Sequence, residues 1–276
     1  MSKSIKTQFC FPRVSSRVSI ENKKNLVYLL MEHLKKNGSI EYAGYLKDKD
    51  LYKDILFRIG DGDVIGYKPL NVTQKKKVET TIHFIIQKLC REFSFSIGPI
   101  FIFIFPWFPS EEESVLLGGV NAVAPYINTL HLFIDPFRFT PASLRETIAH
   151  EFNHLVFYRQ NGFKRYTLFE NMIIEGLAEN FREELCGGAP APWSVAFSRK
   201  DVKGLFSSLK PFLFSKNSRL YSNVFFGSKK YKKWTGYSMG YWFVKSFIKR
   251  HPELSWQKVM EIKIEDIVND LYKNEA

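Results

Sequence analysis

Residues 20–36 (IENKKNLVYLLMEHLKK) space Leu26, Leu29, Leu30 and Leu34 three and four apart, which predicts a helix burying one face and ending at Asn37-Gly38. A weaker helical pattern covers roughly 40–59. The DGD at 61–63 lacks the other ligands of a calcium loop and reads as a turn. From Thr73 to Phe93 the pattern predicts a longer helix with Val78, Ile82, Ile85, Ile86 and Leu89 inward.

The period then changes. Residues 95–105 (FSIGPIFIFIF) predict a buried strand, and 115–120 (VLLGGV) and 127–134 (INTLHLFI) predict two more. Between the first two lies PWFPSEEES, expected as a polar loop with its three glutamates in water. Helices return at Thr140-Pro141, an N-cap with proline at the first helical position, and this helix stops at Asn161-Gly162. Thr167 and Glu170 have the form of a capping box opening a second helix that ends at Gly187-Gly188. Strands followed by helices imply an α+β fold with a small mixed sheet. The expected organisation is a flexible tail over 1–19, an N-terminal helical region over 20–72 and one main domain over 73–276.

Composition narrows the field. With 276 residues, 45% of them hydrophobic and 26 of them Phe, the chain can bury a large core and is not a disordered sequence. Cys10, Cys90 and Cys186 stand far apart with no C-x-x-C spacing, so reduced thiols in a cytoplasmic setting are expected. The first twenty residues carry four basic groups and no acid but no sustained amphipathic stripe; a frayed tail is expected there rather than a transit peptide. No apolar run approaches the ~18 residues of a membrane span. The net charge of +12 is uneven: residues 199–233 hold ten Lys/Arg against one acid, Asp201. Such an excess suits an acidic partner, an anionic membrane or nucleic acid. No nucleic-acid motif accompanies it, so no specific nucleic acid is expected, and a solvated connector is the plainer reading.

The chemistry is concentrated in IAHEFNHLV (148–156), a His-Glu-x-x-His string that arises by chance in about one such sequence in a hundred. Helical side chains four apart share a face, so His150 and His154 can aim both imidazoles at one ion while Glu151 reaches a water beside it. Hydrolytic zinc keeps three protein ligands and an open position. Glu175, 21 residues after His154 on the next helix, is the candidate third ligand. Glu179 follows one turn later, where a carboxylate could hold the far N–H of a ligating imidazole. Glu183 and Glu184 read as solvated. Asp135 is an outside candidate ligand, better explained as a turn residue.

HEFNH followed by IIEGLAENF resembles the gluzincin metallopeptidases and, more closely, the YjaZ-type predicted zinc-dependent proteases, over about residues 73–250. The resemblance implies a zincin-like domain with an active-site helix and a glutamate helix. It implies one Zn2+ per chain on His150, His154 and Glu175, Glu151 as the catalytic base, and a peptide or protein substrate. Tyr237-x-x-Gly240 resembles the Tyr-x-x-Gly of aminopeptidase-like gluzincins, which makes Tyr237 the oxyanion donor and Tyr241 its alternative. Those aminopeptidases carry an acid beside the site, whereas GGVNA (118–122) has none, so binding of an extended peptide along a strand edge within 119–134 is expected instead. The competing class is a catalytically weak zincin-fold binding protein that uses its basic 199–233 surface on an acidic partner. A non-peptide amide or ester is a third substrate class the site chemistry admits.

Overall fold

A computed structural model describes residues 7–10, 23–39, 41–42, 49–60, 70–93 and 99–275. The turn expected at 61–63 and the start of the strand expected from 95 lie outside the described residues. The chain forms two compact units, residues 1–151 and 152–276.

The first unit contains a four-stranded mixed sheet. Its strands are β1 (Thr7–Cys10), β2 (Ile100–Pro106), β3 (Val120–Tyr126) and β4 (Thr129–Ile134), in the order β1-β2-β4-β3. β1 runs parallel to β2 and β2 parallel to β4, with Ile102 beside Leu130 and Phe105 beside Phe133; β3 and β4 form an antiparallel hairpin. β4, between a parallel and an antiparallel neighbour, is buried at all six positions, the polar Thr129 and His131 included. Residues 7–10, expected in a frayed tail, instead pair with β2. A four-residue strand whose partner lies some ninety positions away leaves little local signal.

Helices α1 (Lys23–Asn37) and α2 (Lys49–Arg58) share one apolar core with the sheet, joining Leu26, Leu30, Leu34 and Ile55 to Phe103, Phe105 and Phe133. The region expected over 20–72 thus contributes to the sheet's own core. Leu29 is exposed, and Val27 and Met31 take its place. It lies about 60° outside the arc those residues share at ~100° per residue. Helix α3 (Val72–Glu92) buries the five residues expected of it.

The segment 110–120 departs from expectation. Ser110 and Glu113 form a capping box that opens a short helix, α4 (Glu111–Leu116), with its glutamates exposed in the first turn, where the helix dipole favours them. Gly118 and Gly119 then turn the chain at positive φ, and the strand begins only at Val120. A side chain at Gly119 would collide with the backbone of Arg138 and Phe139. The apolar letters of VLLGGV are therefore a helix end and a turn.

Helix α5 spans Pro141–Asn161. The second unit continues with α6 (Leu168–Cys186), α7 (Arg199–Leu209), a 3-10 turn at Lys210–Phe212, α8 (Ser218–Phe226), α9 (Thr235–Arg250), α10 (Trp256–Glu261) and α11 (Ile264–Glu275). Its core gathers Phe169, Ile173 and Leu177 of α6 with Phe206, Phe225, Phe243 and Val244. The 199–233 segment is mostly helical here and contributes Val202, Phe206, Val224 and Phe225 to that core.

Candidate metal centre

Local chemistry fixes both ends of α5. The Thr140 hydroxyl accepts a hydrogen bond from the Ser143 N–H at 3.0 Å, Pro141 sits where no N–H is needed, and Gly162 leaves the last turn at φ +79. Residues 151–157 of this helix are all buried. Within it, ligand atoms of His150, Glu151 and His154 lie within 4.8 Å of one another. Asn153, on the same buried stretch, donates to Met260 Sδ at 3.2 Å and ties α5 to α10. The ring of Tyr158, one turn beyond His154, stacks near its imidazole with centroids 6.0 Å apart.

Helix α6 opens with a capping box in which the Thr167 N–H donates to Glu170 and the Glu170 N–H to the Thr167 hydroxyl. Two turns on, Glu175 places Oε2 3.8 Å from Nε2 of His154. That separation is too long for a hydrogen bond. Two ligand atoms each ~2.1 Å from a tetrahedral zinc lie about 3.4 Å apart, so the pair is spaced as common ligands of one ion would be. Imidazole and carboxylate donors together suit zinc.

Glu179 is almost fully buried. It accepts hydrogen bonds from Arg182 Nε at 3.1 Å and from the Trp193 indole at 2.8 Å. Trp193 belongs to the connection between α6 and α7, and its carbonyl accepts from the Ser238 hydroxyl of α9 at 2.8 Å. Asn180 binds the carbonyls of both Gly176 and Tyr241, so α6 and α9 are cross-linked just beyond the candidate ligand.

Tyr237 and Tyr241 both lie on α9, as expected, but differ in surroundings. The half-buried Tyr237 ring meets Phe225 edge-on at 4.9 Å and Phe226 at 6.5 Å. The Tyr241 hydroxyl donates to Glu183 at 2.6 Å and accepts from Lys245 at 2.7 Å, and Lys245 also donates to Glu183 at 2.9 Å. Glu183, expected in solvent, is thus half-buried and paired. Burial works to raise its pKa, but the bonds from Tyr241 and Lys245 outweigh this and hold it below the ordinary carboxylate value. For Tyr241, burial first and then its bond to Glu183 push the phenol up. Tyr241 is therefore committed to a closed cluster.

Asp135 accepts from Ser114 Oγ at 2.5 Å and from the Phe137 N–H at 2.9 Å, the pattern of a turn residue. Pattern reading passed over Tyr158 and Arg182, although their i+4 and i+3 spacings from His154 and Glu179 were available, and over Trp193, which reaches Glu179 from outside the helix.

No helix among the described residues is long and apolar enough to cross a membrane. No solved structure matches the chain. It is 29% identical over 135 residues to a protein of Bacillus subtilis (strain 168) described as "Uncharacterized protein YjfC". That alignment covers 44% of this chain and 45% of the relative, so the match spans less than half of either protein. Residues 78–269, which include α5, α6 and α9, match the family described as "Predicted Zn-dependent protease (DUF2268)", and the chain belongs to that family.

Proposed function

We propose that this protein is a gluzincin-type zinc peptidase in which His150, His154 and Glu175 hold one Zn2+ and Glu151 is the general base. The carrying observation is the pair of imidazoles on one helix with Glu175 3.8 Å from His154 on the next. Zinc bound there supplies Lewis acidity, polarising a carbonyl and acidifying water. Glu151 is 6% exposed and has a carboxylate oxygen within 4.8 Å of ligand atoms of both histidines, and we assign it to the water rather than to the ion. It takes the proton of the attacking water and passes it to the leaving amine nitrogen. Tyr237 supplies the hydroxyl that supports the developing oxyanion. Glu179, one turn past Glu175 and bonded to Arg182 and Trp193, is the carboxylate proposed to hold the far N–H of a ligating imidazole. The peptide substrate follows from the family description, and β3, at one end of the sheet order, offers an edge suited to an extended backbone.

Metal analysis of the purified protein tests the centre: one zinc per chain in the wild type, lost in His154→Ala and strongly weakened in Glu175→Gln. Glu151→Gln separates binding from catalysis. It should retain zinc while peptide cleavage, followed on a peptide library, falls by about 10³-fold or more. Full zinc content in His154→Ala, or wild-type cleavage by Glu151→Gln, would overturn the assignment.

A further inference from the structure

The ten cations of 199–233 are all exposed. Among the described residues none of them forms an ion pair. The segment's single acid, Asp201, is occupied in capping α7, where it accepts from the Ser198 N–H and hydroxyl. Beyond the one charge that Asp201 offsets, the positive charge is therefore uncompensated on its own segment.

Exposed aromatic rings stand among these cations. In the turn after α7, Leu213 is fully buried while its neighbours Phe212 and Phe214 are 40% and 56% exposed. The turn is held firmly, because the Leu168 and Phe169 N–H groups of α6 donate to the carbonyls of Ser215 and Leu213. Those are helix-start donors that need an outside acceptor. Lys210 and Lys216 flank the two rings in sequence. Phe226, at the end of α8, is 55% exposed and leads into the loop GSKKYKKW.

That loop is also built rather than loose. Ser228 Oγ accepts from the N–H groups of Lys230 and Tyr231, the Trp234 N–H donates to the Phe225 carbonyl, and the Tyr231 ring is buried as an anchor. Lys230 bridges the two elements, its ammonium 5.2 Å from the centre of the Phe212 ring. Turn and loop thus meet where Lys230 lies over Phe212, and Phe214 and Phe226 are exposed on the same two elements as the lysines.

We propose that this face, formed by residues 210–216 and 226–233, docks the protein onto an anionic lipid surface. Basic side chains near a bilayer are drawn to acidic headgroups, and exposed aromatic rings enter the boundary between headgroups and acyl chains. Charge alone would serve an acidic peptide equally well, but such a partner gives no role to three exposed phenylalanines beside the lysines. A nucleic acid would use rings as stacking platforms, whereas two of these occupy a turn on either side of a buried leucine anchor. The docking stands independently of the bond the metal centre cleaves.

Sedimentation of the full chain with vesicles tests it. At 0.1 M salt the protein should bind vesicles containing 30% phosphatidylserine and not pure phosphatidylcholine vesicles, and 0.5 M salt should release most of it. Replacing Lys229, Lys230, Lys232 and Lys233 with serine should weaken binding by up to about a thousandfold. The pair Phe212→Ser and Phe214→Ser should weaken it by about tenfold or more. Phe226 is left in place because it touches Tyr237, and unchanged zinc content and circular dichroism show that each variant is folded. Equal binding to both vesicle types would overturn the proposal. So would phenylalanine variants that bind like wild type, or displacement from vesicles by polyglutamate or a single-stranded oligonucleotide at equal charge, since charge alone would then be what the face reads.

Discussion

Gly176 and Gly240 bring α6 and α9 into backbone contact directly beside the candidate ligand Glu175. A side-chain carbon on Gly176 would overlap the carbonyl of Gly240, and one on Gly240 would overlap the carbonyl of Met172. Neither glycine has positive φ, so the demand is for space rather than for an unusual backbone. Gly240→Ala must push the helices apart against the packing of Val244 and Ile173. Overpacking of this kind costs about 1–3 kcal/mol, and backbone obstacles place it at the upper end. Urea denaturation should show that loss. Gly176→Ala should in addition weaken zinc retention, because the displaced turn carries Glu175. Unchanged stability in Gly240→Ala would show that the helices can separate freely.

The two tyrosines of α9 should respond oppositely to loss of their hydroxyls. Tyr241 is bonded to Glu183 and Lys245, so Tyr241→Phe removes two structural hydrogen bonds to charged groups, costs about 2–3 kcal/mol and leaves turnover near wild type. Tyr237→Phe keeps the ring packed against Phe225 and removes the hydroxyl proposed as oxyanion donor. Its kcat should fall by about 10²-fold with zinc content unchanged. A large kcat loss in Tyr241→Phe together with an active Tyr237→Phe would reverse the assignment.

The buried Glu179 and Arg182 and the half-buried Trp193 form a unit whose members need one another. Arg182 is 5% exposed and donates to Glu179 and to the Ala189 carbonyl. Glu179→Ala would leave that guanidinium buried without its carboxylate, a change that typically costs about 3–5 kcal/mol. Trp193→Phe removes one donor to Glu179 and should cost about 1–3 kcal/mol. Thermal melts of the two variants give this ordering directly, and a Glu179→Ala protein as stable as wild type would show that Arg182 finds other partners.

What could be read from the chain alone follows from the range of the interactions involved. The capping box at Thr167, the stop at Gly162 and the inward face of α3 are set by residues within a few positions, and the structure places each as the pattern predicts. The same rule was available for α4, since Ser110 and Glu113 stand in capping-box spacing. The apolar VLLGGV drew the reading toward a strand instead. The grouping of His150, Glu151 and His154 is geometry within one helix and so is written in their spacing. Glu183 could not be read this way. Nothing near it in sequence distinguishes it from Glu184, and its partners Tyr241 and Lys245 arrive from a helix about sixty residues on. β1 pairs with a strand some ninety residues on, and Trp193 reaches Glu179 from the connection beyond its helix.

His131 gives the first unit a built-in sensitivity to acid. It is fully buried on β4, 2.5 Å from the Tyr42 hydroxyl and ringed by Phe103, Phe105 and Phe133. Burial, with a smaller contribution from Arg58, lowers its pKa from the ordinary 6.5 to about 3. Between those two values the unfolded chain holds a proton that the folded one refuses. Stability attributable to this residue is therefore intact above pH 6.5 and falls as the pH drops toward 3, by up to about 1.4 kcal/mol per pH unit. His131→Phe keeps an aromatic ring in the aromatic cage and removes the titrating group. Urea denaturation of both proteins at pH 7.5, 6 and 5 should show wild-type stability declining more steeply than that of the variant. Parallel declines would mean that the imidazole reaches water, or gains a proton, without the unit opening.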